Sequence, residues 1–91
     1  MQGLPLSGAR NLGPVTAVEL RAAGIESLAQ LRELGWEEAC ARWAALFPAR
    51  LNLNAFCAVI GALEECDWRA VPPERKESAR RLIRRLAPCA R

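Results

Sequence analysis

Residues 53–66 read LNAFCAVIGALEEC, and this stretch decides the fold. Phe56, Val59, Ile60 and Leu63 recur at the three- and four-residue spacing of one helix face, with Ala55, Cys57, Ala58 and Ala62 around them. A helix that is apolar on nearly every side is a buried central one, so the other elements are expected to wrap around it. Either Asn52 or Asn54 can cap its start, at Leu53 or Asn54, and the pattern runs to Cys66. Gly61 in the middle lowers helix propensity by up to about 1 kcal/mol. The expected reason is a close crossing with a neighbouring helix.

Downstream, Asp67 and Trp68 lie in a connection, and Pro72 and Pro73 start a last helix that reaches Ala87 before Pro88. Its apolar positions are Ala79, Leu82, Ile83 and Leu86, and its other face holds Lys76, Arg80, Arg81, Arg84 and Arg85. Glu77 stands four residues before Arg81, a supportive pair on a helix. Upstream, a helix is predicted from Trp36 to Leu46, with Glu37 and Glu38 in the first turn, where the helix dipole favours anions. Ala39, Trp43 and Leu46 form its expected inner face, Cys40 and Phe47 adjoin it, and Pro48 closes it. Before it comes a short helix from Leu28 to Leu34, capped by Ser27, striped by Leu28, Leu31 and Leu34, and stopped by Gly35. The first helix is predicted from Pro14 to Ala23, with Val15, Val18 and Ala22 on one face, Leu20 and Ala23 bordering it, and Gly24 ending it. The lead-in before it, with Gly3, Pro5 and Gly8, reads as irregular. The fold class is therefore all-α: five short helices with short connections in one domain over residues 1–91.

Composition agrees. The chain has 91 residues, 52% of them hydrophobic and 25% charged, a globular balance. It contains no Tyr, and helix formers outnumber strand formers. No apolar run approaches the roughly 20 residues needed to span a bilayer. No basic stretch followed by a long apolar one opens the chain, so the expected compartment is the cytoplasm. Charge is divided unevenly. Residues 1–68 carry five Arg against eight acidic residues, a net of −3; residues 69–91 carry eight Lys or Arg against two Glu, a net of +6.

The residue types argue against catalysis. There is no His, and neither a phosphate-binding glycine loop nor a nucleophile-elbow motif occurs. Glu37–Glu38 and Glu64–Glu65 are sequence neighbours, which a helix points about 100° apart, so they read as surface charge. Cys40, Cys57, Cys66 and Cys89 fit no close-pair metal spacing and read as free thiols, Cys40 and Cys57 as small core residues. No metal or cofactor is expected.

Two helix starts echo each other. Ala9-Arg-Asn-Leu-Gly13 precedes the first helix and Leu31-Arg-Glu-Leu-Gly35 the third. Two Leu-Gly turns in one small helical domain suggest a helix-hairpin-helix or SAM-like arrangement. Together with Arg10-Asn-Leu-Gly-Pro14, Ala23-Gly-Ile25, Leu28-x-x-Leu-x-x-Leu-Gly35, Leu51-Asn-Leu-Asn54, Gly61-Ala-Leu-Glu64 and Asp67-Trp-Arg69, in that order, they make the chain resemble the C-terminal domain of TfoX/Sxy-like proteins over about residues 9–87. The resemblance implies a compact all-helical domain and a link to the regulation of natural competence and DNA uptake in bacteria. It supplies no catalytic residue.

Two functions are then in competition. The first is a regulatory or adaptor module that acts by protein–protein contact, for which Trp36 and Trp68 are the candidate interface residues, because Trp is enriched at interface hot spots. The alternative is sequence-independent DNA-backbone binding. Its candidates are Arg10 and Gly13, at a helix start whose backbone N–H groups can hold a phosphate, and Arg80, Arg81, Arg84 and Arg85 on the last helix. Against it, Pro14 removes one donor at that helix start, and Glu37 and Glu38 occupy the other Leu-Gly turn. No aromatic residue interleaves the arginines for base stacking. The arginine face equally suits a solvated surface, or one paired with acidic residues of the third and fourth helices. A membrane role ranks low, because the apolar face of the last helix is needed by the core.

Overall fold

In the computed structural model, which describes residues 11–87, the first helix, α1 (Pro14–Ala22), begins where Pro14 follows Gly13. Proline suits that place because its missing N–H would have had no partner in the helix. The helix ends in a Schellman turn: the Gly24 N–H donates to the Arg21 carbonyl at 2.9 Å and the Ile25 N–H to the Leu20 carbonyl at 2.9 Å. Gly24 takes the left-handed φ of +90° that this turn requires, and Ile25 joins Leu20 in the core. Ser27 caps α2 (Leu28–Leu34), its Oγ accepting the Gln30 N–H at 3.1 Å, while the Gln30 side chain accepts the Glu26 N–H at 2.6 Å. Gly35 alone, at φ +89°, joins α2 to α3 (Trp36–Leu46).

Pro48 stops α3 and begins a single 3₁₀ turn, Pro48–Arg50. α4 (Leu53–Glu64) follows, capped by Asn52, whose Oδ1 accepts the Ala55 N–H at 2.8 Å. A second 3₁₀ turn, Trp68–Ala70, leads to α5 (Pro73–Leu86). The class is all-α, with α4 at the centre. Phe56, Val59 and Ile60 are fully buried, and α2, α3 and α5 all pack against α4. No described helix is long and apolar enough to cross a membrane.

The structure corrects several readings. On α1 the buried residues are Ala17 and Leu20, whereas Val15 and Val18 are 64% and 58% exposed and Ala22 is exposed. This helix is apolar on several sides, so periodicity did not choose a face; Leu12 and Ile25, buried just outside its two ends, did. On α3 the inner face is Ala39, Cys40, Trp43 and Ala44, and Leu46 is 55% exposed. Glu77 bonds Arg80 and lies by Arg84, not Arg81. Gly61 serves no helix crossing. A Cβ there would lie 2.5 Å from Nδ2 of Asn11 and 2.5 Å from the carbonyl oxygen of Cys66, so the close approach is by a loop side chain and by the chain's own turn.

That turn explains why α4 stops at Glu64 instead of Cys66. Glu65 adopts the left-handed conformation at φ 58°, and the Cys66 N–H returns to the Gly61 carbonyl at 2.9 Å. Asn11 seals the arrangement. Its Nδ2 donates to the Cys66 carbonyl at 2.9 Å and reaches the Ala58 carbonyl at 3.4 Å, and its Oδ1 accepts the Trp68 N–H at 3.2 Å.

Candidate interaction surface on the α3–α5 seam

The sequence of α5 puts six cations within eleven residues, from Arg75 to Arg85, and the fold decides what each one faces. Arg75 bonds Glu64 of α4 at 2.5 Å. Glu77 serves both Arg80, at 3.4 Å, and Arg84, at 3.7 Å. Arg81 donates to the Ser78 hydroxyl at 3.3 Å. Lys76 and Arg80 act on the Cys57 thiol from across the α4–α5 contact. The side chains in these ion pairs are about a third to two-thirds exposed, and such pairs contribute about 0–1 kcal/mol each. The cationic face is therefore not consumed by the fold. Pairing with α4 accounts for Arg75 alone.

Two clefts open along the seam between α3 and α5. One, of about 490 Å³, is lined by Glu37 of α3 and by Ser78, Arg81, Leu82, Arg84 and Arg85 of α5. The other, of about 280 Å³, is lined by Ala41, Ala44, Ala45, Pro48, Leu51 and Leu86, all apolar. On α3 the two walls are one strip. Glu37, Ala41 and Ala45 follow at four-residue spacing and lie one above the other on a helix. The seam is cationic beside the first turn of α3 and apolar beside its last.

The other candidates fall elsewhere. Arg10 lies outside the described residues. Gly13 is exposed at the start of α1, with no side-chain cap and no acidic residue in the first turn. Asn11 ties this turn to Cys66 and Trp68, the end of α4 beside which α5 begins. Arg81, Arg84 and Arg85 follow Arg75 by six to ten residues, about 9–15 Å further along the helix axis. Gly13 and the arginine cluster are not gathered into one tight site. Trp36 and Trp68 are partly buried and pack against the core; the Arg69 guanidinium stacks over Trp68 at 5.7 Å.

Sequence reasoning missed one constellation. Glu19 of α1 accepts the Trp43 indole N–H at 2.8 Å and a two-point bond from Arg50, 2.7 and 2.9 Å long. Arg50 also lies 5.7 Å from the centre of the Trp43 ring. The Arg50 guanidinium, helped by Trp43, holds the Glu19 carboxyl below its ordinary value against the opposing effect of burial. Separations of 24 and 31 residues leave no local signal for this bond set. Among the described residues the exposed large apolar ones, Val15, Val18 and Leu46, stand within one helical turn of Glu19 or Trp43. Of the thiols, Cys40 and Cys57 are buried and burial pushes both above the usual range, Cys66 is partly exposed, and Cys89 lies outside the described residues. Among the described residues no three Cys, Asp or Glu side chains stand close enough to hold a metal ion.

The family model of the TfoX C-terminal domain matches residues 4–82. A crystal structure of an uncharacterized protein from Listeria monocytogenes superposes with a TM-score of 0.84 at 23% identity, covering 96% of this chain and 98% of that one. At that identity the likeness shows the fold. No curated protein matches the chain.

Proposed function

This chain belongs to the TfoX C-terminal domain family, and from that premise we propose that it is a non-catalytic regulatory module that acts by contact with a protein partner. The setting we propose is cytoplasmic regulation of competence or transcription in a bacterium. The α3–α5 seam carries this reading. It presents an open apolar wall next to a cationic one, and among the described residues no side chain fills either. An apolar groove rimmed by polar residues is a feature that protein-contact sites share. A photo-reactive benzoylphenylalanine placed at Ala45, on the apolar wall, is expected to cross-link a discrete protein in the native cells, and one at exposed Ala29 on α2 is not. The absence of any adduct from Ala45, or equal labelling from both positions, would refute protein contact through this seam.

Direct DNA-backbone binding keeps one specific observation in its favour, the convergence of Arg81, Arg84 and Arg85 on a single cleft. Fluorescence titration with a short labelled duplex at low and near-physiological salt separates the two readings. Backbone binding must weaken steeply as salt rises, through counterion release.

A further inference from the structure

We infer that the α3–α5 seam accepts a short extended segment of the partner, with a pair of carboxylates at one end and one or two aliphatic side chains at the other. The inference rests on the protein-contact reading above and gives that partner its chemistry. Charge complementarity carries it. Three guanidiniums, of Arg81, Arg84 and Arg85, line the wide cleft against the carboxylate of Glu37; Glu77 already pairs with Arg84 at 3.7 Å, which leaves Arg81 and Arg85 for a ligand. Guanidiniums bind carboxylates in two-point fashion, so these two suit two acidic side chains. The adjoining cleft has no charged residue in its lining and suits aliphatic groups.

Length fits as well. From Glu37 to Ala45 the shared wall of α3 rises over eight residues, about 12 Å of helix. An extended peptide covers that distance in about four residues, at roughly 3.3–3.6 Å each. A phosphodiester backbone would use the cationic half and leave the apolar half idle. A peptide uses both halves.

The test is selection of a phage-displayed library of random twelve-residue peptides on the purified full chain, with the Ala45→Trp variant as the counter-selection target. Ala45 is exposed, so the indole fills the groove without entering the core. The expected result is a consensus with two acidic residues and an aliphatic residue three to five positions away. In fluorescence anisotropy the winning peptide is expected to bind the Arg81→Glu/Arg85→Glu variant roughly tenfold or more weakly, as lost charge-assisted bonds require. Binding by Val18→Ser/Leu46→Ser is expected to stay unchanged. No sequence enriched over the Ala45→Trp control overturns the inference, and so does a consensus without acidic residues. Binding lost in Val18→Ser/Leu46→Ser moves the docking site to the α1–α3 junction, which overturns the seam but keeps a protein partner. A labelled duplex that binds with a steep salt dependence, abolished by Arg81→Glu/Arg85→Glu, with no peptide enriched, overturns the inference in favour of nucleic acid. An Ala45 cross-link without such a consensus sinks the peptide chemistry alone.

Discussion

Replacing Gly61 with Ala in α4 is expected to destabilise the domain, against the ordinary sign of that exchange. In an open helix interior Gly→Ala is worth about 0.5–1 kcal/mol of added stability. At this position the new methyl group would stand 2.5 Å from Asn11 Nδ2 and 2.5 Å from the Cys66 carbonyl oxygen. Asn11 is the end of a side chain and can swing away, but it then gives up its bond to Cys66 at 2.9 Å and the one it accepts from Trp68 at 3.2 Å. Two bonds at about 1 kcal/mol each, in a partly buried place, outweigh the propensity gain. The Cys66 oxygen is backbone, and moving it disturbs the left-handed turn at Glu65. The expected net loss is about 2–3 kcal/mol, from the lost bonds and the strained turn together, less the propensity gain.

Urea unfolding followed by Trp fluorescence reads this directly, and a loss of that size corresponds to a fall in Tm of roughly 8–24 °C in a domain of this length. Asn11→Ala supplies the control. If Asn11 is the group displaced, Gly61→Ala must cost less in the Asn11→Ala background than in the wild type, with a coupling of about 1 kcal/mol or more. A stabilised Gly61→Ala protein, or two additive substitutions, would refute this account of Gly61.

The orientation of α1 is checked by pairing Val18→Ser, expected within about 0.5 kcal/mol of wild type, with Leu20→Ala, expected to lose about 2–4 kcal/mol; equal losses would restore the valine face to the core. Glu19→Gln is expected to lose about 1–2 kcal/mol near neutral pH, a figure kept low because Arg50 is a third exposed. Because the Glu19 carboxyl is held below its ordinary value of 4.5, its contribution is full above that pH and fades as pH falls through the folded-state value. The stability curves of wild type and Glu19→Gln should therefore converge in acid, and a constant gap down to pH 2 would argue that the bond to Arg50 does not form. In a Cys89→Ser protein a thiol reagent is expected to label Cys66 promptly in the native state, and Cys40 and Cys57 only on unfolding.

Apart from the end of α4, the helix boundaries were legible because short-range chemistry sets them. Ser27 accepts a backbone N–H where α2 begins, Gly24 and Gly35 take positive φ where helices end, and Pro48 and Pro73 mark a stop and a start. The helix faces were less legible. Val15, Val18 and Ala22 are spaced as well as Ala17 and Leu20, and the choice between them fell to Leu12 and Ile25, which are not in the helix at all. Asn11 and Glu19 were not legible in these roles, since their partners lie 47–57 and 24–31 residues away. The seam was half legible. Its arginines announce themselves by charge, but Ala41, Ala45 and Pro48 become a wall only when Leu51 and Leu86 are brought opposite them.

That wall sets stability against function in a measurable way. Ala41 and Ala45 are small residues beside an open apolar cleft of about 280 Å³, and a domain selected for stability alone gains by filling such a space. Ala45→Leu adds three carbons over Leu86 and Leu51 and is expected to stabilise the domain by roughly 0.5–1 kcal/mol through apolar burial. The same substitution occupies the place where the aliphatic end of the docking segment sits, so it should weaken binding of the selected peptide while raising Tm. Binding that survives Ala45→Leu unchanged would show that the cleft is not the docking groove. A fall in Tm would show that the space beside Leu86 is already filled, and the apolar half of the seam would lose its claim to a partner.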